Sequence, residues 1–212
     1  MTNFQELGLS KQLVDALSAL GYDTPTPIQE KSIPQLLQGR DMVGLAQTGT
    51  GKTAAFGLPL IEMLSKDQKR PDNRTTRALI LAPTRELVNQ IAVSLKSYIR
   101  NTPLKINAVV GGASINKQQQ QLEKGLRKIS KMVPAKRQTL LFSATMPKAI
   151  ADLASDFLKD PVQVSVTPPG KAADKVEQFV HFVNGKNDKT DLLKKSLTEN
   201  PDGRAMVFLR TK

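Results

Sequence analysis

The sequence predicts an α/β fold: a parallel sheet covered by helices on both faces. Two observations carry this. Short apolar runs at residues 42–46, 78–82, 106–110, 139–142 and 162–166 alternate with helical patterns at strand–helix–strand spacing. A Gly-rich turn follows the first run and opens a helix. Composition agrees, with 39% hydrophobic and 24% charged residues in 212, enough for one folded domain plus part of another.

The elements follow in order. Ser10 is placed to cap a helix whose Leu13, Val14, Leu17 and Leu20 share one face. Thr26 and Pro27 read as the cap and first turn of a second helix reaching about Leu37. The strand at 42–46 leads through the Gly-rich turn into a helix at about 51–64. A polar loop, 66–77, precedes the strand at 78–82, and a helix carrying Leu87, Ile91, Leu95, Tyr98 and Ile99 precedes the strand at 106–110. From 113 to 138 the rhythm fails, and only a Gln-rich, basic stretch is found. It resumes with the strand at 139–142, a helix at 147–158 and the strand at 162–166. The predicted organisation is a domain over 1–166, a Pro/Gly-containing linker over 167–175, and the start of a further α/β unit over 176–212. That unit opens with a strand at 176–183, a helix at 190–197 and a strand at 205–209.

Lys and Arg number 31 against 19 Asp and Glu, a net charge of +12, so polyanions and above all nucleic acid are the expected partners. Aromatic residues are only 4% and Trp is absent, which favours contacts to a phosphate backbone over base stacking. The absence of Cys excludes disulfides, Cys-ligated zinc and a cysteine nucleophile, and the single histidine, His181, reads as a surface residue on an alternating strand. The first ten residues lack the pattern of a secretory signal, and no apolar run is long enough to span a bilayer. A cytoplasmic protein with no membrane partner is expected.

The chemistry is concentrated in Ala46-Gln47-Thr48-Gly49-Thr50-Gly51-Lys52-Thr53, which follows a strand and opens a helix. That context is what gives a phosphate-loop pattern its meaning. The glycines let backbone amides turn inward toward phosphate oxygens, and the helix N-terminus adds positive potential. Lys52 is expected to reach the β/γ-phosphates and the Thr53 hydroxyl to bind Mg²⁺. Ala46 replaces the first glycine of the strict pattern. A relaxed match arises by chance in roughly one or two percent of chains of this length.

Further motifs then fall into a known order. The segment Gly21 to Gln29 resembles the Q motif of the DEAD-box RNA helicases, with Phe4 at the place of the upstream aromatic. Residues 46–53 resemble motif I, Pro83-Thr84-Arg85 with Glu86 and Leu87 motif Ia, Gly111-Gly112 the GG doublet, Ser143-Ala144-Thr145 motif III, and 207–212 the motif IV strand. The wording is nearest the bacterial RhlE-type branch. The resemblance implies a RecA-like phosphate-loop NTPase domain followed by the beginning of a second RecA-like domain. It implies ATP and Mg²⁺ as cofactors and RNA as partner. It places Phe4, Tyr22, Gln29, Gln47, Thr48, Gly49, Thr50, Gly51, Lys52 and Thr53 around the nucleotide. It places Pro83, Thr84, Arg85, Gly111 and Gly112 on the RNA backbone, and makes Ser143 and Thr145 the link between hydrolysis and closure. Chemically, the Gln29 amide matches the donor–acceptor edge of adenine. Bland readings stand beside these: a helix-surface Gln29, an Arg85 ion pair with Glu86 or another acid, and a helix cap at Ser143 or Thr145 before Pro147.

The chain departs from the family pattern at one decisive place. The acidic motif, an apolar strand ending in the carboxylates that manage Mg²⁺ and water, belongs between Gly112 and Ser143. Residues 113–142 hold a single acid, Glu123, against seven basic residues: Lys117, Lys124, Arg127, Lys128, Lys131, Lys136 and Arg137. The flanks read as the two sides of a helicase domain joined after loss of about two strand–helix units, each roughly 30 residues or somewhat less. The missing strand normally sits mid-sheet, so a gap in the hydrogen-bond ladder is expected unless another strand closes ranks. The family's motifs V and VI are also absent, so the chain as written is expected to bind ATP and RNA with impaired hydrolysis and unwinding. The alternative is a non-catalytic ATP- and RNA-binding module, or an inactive remnant.

Overall fold

The computed structural model describes residues 2–67, 71–72, 75–100, 102–110, 133–166, 179–183, 185–199, 205 and 207. The chain divides into two compact units, Met1–Lys171 and Ala172–Lys212.

The first unit opens with helix α1, Lys11–Ser18, whose Leu13 and Leu17 are buried. Ser10 stands at its N-cap position, yet the side chain makes no cap bond. Instead its amide and hydroxyl both donate to Glu62, at 3.0 and 2.8 Å. Helix α2, Pro27–Leu37, starts as expected from Thr26, with proline in its first turn and Gln29 closing a capping box. Strand β1, Met42–Leu45, is fully buried. Helix α3, Lys52–Lys66, follows the Gly-rich turn, and helix α4, Arg85–Tyr98, is capped by the Thr84 hydroxyl, which accepts from Leu87 N at 3.2 Å. Strand β2, Leu140–Ser143, helix α5, Lys148–Phe157, and strand β3, Val162–Ser165, complete this unit.

The sheet has three strands in the order β2-β1-β3, with both pairings parallel. Leu45 stands opposite Ser143 on one side and Ser165 on the other, so all three strands end at the same level. Alternation along β1 sends Met42 and Ala46 toward α2 and α3, where they bury with Ile28, Leu36, Ala55 and Val164. Val43 and Leu45 face the other way and bury with Ala154 of α5. Gly44 has no side chain because the Phe142 ring occupies that space: a Cβ there would collide with the ring. A further cluster joins Phe4, Leu7 and Leu9 to Leu13, Leu17, Ile33, Leu58, Leu95 and Tyr98, welding the N-terminal segment and α1 onto α2, α3 and α4. Each fully buried Leu or Ile contributes about 1.5–3 kcal/mol to holding these layers.

Two polar staples fix the lower end of the sheet. Asp41, just before β1, accepts from Thr139 N at 2.8 Å and from Lys159 N at 2.7 Å. Gln138 donates from Nε2 to Leu36 O and Arg40 O at 3.0 and 2.8 Å. Neither bond follows from local pattern, because the partners are far apart in sequence.

The structure departs from the sequence reading in its strands. Residues 78–82 and 106–110 form no strand. Leu79, Ile80, Leu81, Val109 and Val110 are exposed. A strand exists only where a neighbour completes its ladder. The described sheet stops at β2, so no further strand closes ranks beyond it among the described residues. Between the described strands the ladder has no gap, since β1 pairs with both β2 and β3.

In the second unit the described helix is α6, Lys186–Glu199, longer at both ends than the predicted 190–197. Residues 179–183 form no strand. The predicted linker at 167–175, residues 176–178, and the predicted strand at 205–209 apart from Ala205 and Val207 lie outside the described residues.

Candidate nucleotide site

The site is built where β1 runs out and α3 begins. Gly49 and Gly51 take φ values of 81° and 89°, left-handed conformations that turn the loop back on itself. Gly51 is the N-cap of α3. A Cβ on Gly51 would collide with the Gln29 amide, whereas nothing approaches a Cβ position on Gly49. The loop is thus braced on one side and open on the other. Thr50 closes it from within, its hydroxyl donating to Gln47 O at 2.7 Å.

The Lys52 ammonium lies inside this curl. It donates to Ala46 O at 2.6 Å and to Gln47 O at 2.7 Å. Burial pushes the amine below the usual lysine range. Among the described residues the ammonium meets carbonyl dipoles and no counter-charge, which an anion entering the curl would supply. The donor set therefore fits a phosphate chain. Thr53 stands one residue into α3, half-buried. No group of three or more His, Cys, Asp or Glu side chains suited to a metal occurs among the described residues. Mg²⁺ held at the Thr53 hydroxyl would draw on phosphate oxygens and water among its other ligands.

The second helix braces the loop. Thr26 Oγ1 donates to Thr50 O at 2.8 Å, and Gln29 Nε2 donates to Gly51 O at 3.1 Å. Gln29 Oε1 accepts from Thr26 N at 3.0 Å. Gln29 is only 2% exposed, so it is no helix-surface residue. Both ends of its amide are engaged by the protein. Thr26 was named in the sequence only as a helix cap, and its grip on the loop is the contact that sequence reasoning missed. The Thr-Pro-Ile-Gln capping box is the signal from which it was available.

The remaining sequence-predicted residues are distributed unevenly. Phe4 is buried in the core with Leu17 and Leu58. Tyr22 is 43% exposed and makes an edge-to-face contact with buried Tyr98 at 6.0 Å between ring centres. Burial, then the adjoining Tyr22 side chain, pushes the Tyr98 hydroxyl above its usual range. Gln47 and Thr48 are exposed on the open side of the loop. Pro83, Thr84 and Arg85 are exposed at the start of α4. Arg85 makes no ion pair with Glu86. Gly111 and Gly112 lie outside the described residues, as does Glu123.

Ser143 ends β2, level with Leu45, and its carbonyl accepts from Ala46 N at 3.1 Å. Motif III and the phosphate loop are therefore joined by a backbone bond. The Ser143 hydroxyl accepts a long bond, 3.4 Å, from Thr145 N. The N-cap of α5 is Pro147 and carries no side-chain cap, so neither hydroxyl serves as a helix cap.

The DEAD/DEAH box helicase family matches residues 26–129 of the chain. The chain is similar to the ATP-dependent RNA helicase CshA of Listeria monocytogenes, 36% identical over 256 aligned positions that include all of this chain and 48% of the relative. Residues 26–129 carry a DEAD/DEAH box helicase domain. Among solved structures, this chain resembles the RNA helicase Prp28 of Chaetomium thermophilum bound to ADP, with a TM-score of 0.67, 31% identity, and coverage of 94% of this chain and 57% of that one. It also resembles a DEAD box protein of Methanococcus jannaschii, with a TM-score of 0.67, 30% identity, and coverage of 93% and 63%. The parallel sheet flanked by helices is thus the RecA-like architecture of these helicases, in incomplete form. The chain spans about half the length of the curated relative it matches, 48%. The alignment with that relative is 256 positions long against 212 residues here, so at least 44 of its positions have no counterpart in this chain. No described helix is long and apolar enough to cross a membrane.

Proposed function

We propose that this chain binds Mg-ATP and the backbone of RNA, and that ATP turnover and duplex unwinding are impaired in it. The observation that supports this best is the phosphate loop: two left-handed glycines, an ammonium inside the curl, and a brace from Thr26 and Gln29.

The residues divide the work by position. Amides of the loop and of the first turn of α3 face the phosphates, and Lys52 moves from carbonyl dipoles to phosphate charge. Thr53 offers its hydroxyl to the metal. Bound Mg²⁺ neutralises phosphate charge and orients the terminal phosphate. Gln29 and Tyr22 lie on the adenine side in this reading, with Gln29 releasing at least one present bond to meet the base. Phe4 acts beneath them, as core. Arg85, Thr84 and Pro83 meet the RNA backbone, joined by Gly111 and Gly112. Turnover needs carboxylates to hold the metal and manage water, and residues 113–142 supply only Glu123. We read residues 1–166 as the nucleotide-binding domain and 176–212 as the beginning of its companion RecA-like domain, joined by a linker at 167–175.

The test is a thermal melt of the chain with Mg-ATP, with Mg-GTP and with neither. A ligand that binds only the folded state raises the midpoint. The expected result is a rise with ATP, little with GTP, and none in Lys52→Ala. Equal rises for wild type and Lys52→Ala would place the nucleotide elsewhere and sink the reading.

A further inference from the structure

Strands β2 and β3 are the edges of the described sheet, and they are guarded differently. Pro161 stands directly before β3, and Gln163 lies exposed within it. Strand β2 reads Leu140-Leu141-Phe142-Ser143 and carries no charge, proline or bulge. Natural edge strands usually carry such devices because their unpaired amides and carbonyls recruit other strands.

The direction of β2's backbone groups can be read from its bonds to β1. Thr139 O and Ser143 O accept from Met42 N and Ala46 N at 3.2 and 3.1 Å. With the two-residue period of a ladder, the groups of Leu140 and Phe142 point away from β1. Among the described residues β2 pairs only with β1. Its faces are nevertheless held. Leu140 and Phe142 rest on the cluster of Ile28, Leu36 and Met42, and Leu141 rests on that of Val43, Leu45 and Ala154. The strand is thus fixed flat between helices with its outer ladder open, which is the geometry of strand addition.

Charge indicates what fits there. Residues 133–151 contain Lys136, Arg137 and Lys148 and no acid. The Lys52 ammonium bonds Ala46 O, and the amide of Ala46 bonds Ser143 O, so a further positive group lies near the upper end of β2. Apart from the Asp41 carboxylate, which is engaged by Thr139 N and Lys159 N, the charged residues flanking β2 in sequence are basic on both sides. A second copy pairing β2 with β2 would set Lys136 and Arg137 of one chain beside Lys148 of the other, like against like.

We propose that the outer edge of β2 is an acceptor site for an extended apolar segment flanked by carboxylates, supplied by another polypeptide. The proposal is tested on the nucleotide-free chain at the sheet edge, so it can fail while the nucleotide reading stands, and the reverse.

The experiment is amide hydrogen exchange on the full nucleotide-free chain, read at Leu140 and Phe142. The probe is a synthetic peptide of alternating Val and Ile flanked by Asp pairs. Expected is a slowing of roughly tenfold or more at both amides. The same peptide N-methylated at alternate residues keeps its side chains but loses its donors, and should slow neither. A version flanked by Lys should bind more weakly. No slowing with the Asp-flanked peptide overturns the proposal, and equal slowing with the Lys-flanked one overturns the acidic partner. Slowing that grows with protein concentration and without peptide overturns it in favour of a second copy. Leu140→Pro removes an outward N–H while sparing the bonds to β1, and should abolish the peptide effect. Should that variant unfold, the N-methylated peptide still decides the matter on unaltered protein.

Discussion

At Gly51 a single hydrogen atom separates a working loop from a blocked one. The residue combines a φ of 89° with contact against the Gln29 amide, so a methyl group meets both backbone strain and collision. Gly51→Ala should lower stability by about 1–3 kcal/mol and remove the ATP-dependent rise in melting temperature. Denaturant titration with and without Mg-ATP checks both parts. Gly49 lies in the same loop at a φ of 81° with open space around it, so its substitution costs strain alone. The placement of Gly51 and Lys52 at the turn into α3 was legible in the sequence, since the loop pattern specifies it. The burial of Gln29 and Phe4 was not, because spacing says nothing about which side of a residue the core will lie on.

At the level of elements, polar contacts decide how helices and strands meet. Glu62 of α3 is 3% exposed and receives both Ser10 donors and Lys66 at 3.2 Å. Burial opposes its ionisation, but the Ser10 bonds and the Lys66 charge outweigh burial and hold the carboxyl below the usual glutamate range. A carboxyl depressed in the folded state binds protons more readily when unfolded, so its stabilising contribution is present at neutral pH. It is lost as pH falls below the ordinary value near 4.3 and through the folded one. Melting temperature followed from pH 7 downward should therefore fall in the acid range, and Glu62→Gln should flatten that part of the curve. Asp41 carries a similar load at the base of the sheet, with two backbone amides on one carboxylate. Asp41→Ala should cost about 2–4 kcal/mol by denaturant titration, since both amides lose a charged acceptor.

For the molecule as a whole, charge and an open sheet set the behaviour. With a net charge of +12, the proposed RNA binding should be strongly salt-dependent. For single-stranded RNA, Arg85→Ala should weaken binding across sequences and reduce the log–log salt slope by about 0.7, the signature of one lost phosphate contact. Filter binding over a salt series measures this, and an unchanged slope would remove Arg85 from the RNA surface. The three paired strands were legible in the sequence. Residues 78–82 were misread because their Ala-Leu-Ile-Leu-Ala run satisfies every local requirement of a strand. What it lacks is a neighbour, and a neighbour is a property of the whole sheet. The family motifs were similarly readable in order, while the brace from Thr26 to Thr50 depends on how α2 lies across the loop.

The staple at Asp41 has a consequence for how the protein is born. Its two partners lie 98 and 118 residues downstream. A ribosome adding about 5–20 residues per second needs roughly 5–25 s to deliver them. Until β2 is made, the nascent chain holds β1, all four residues of it destined for burial, with neither flanking strand present, and β3 follows only after Lys159. The Gly-rich loop and its brace from Thr26 and Gln29 are synthesised early, while the sheet that carries them is completed only late.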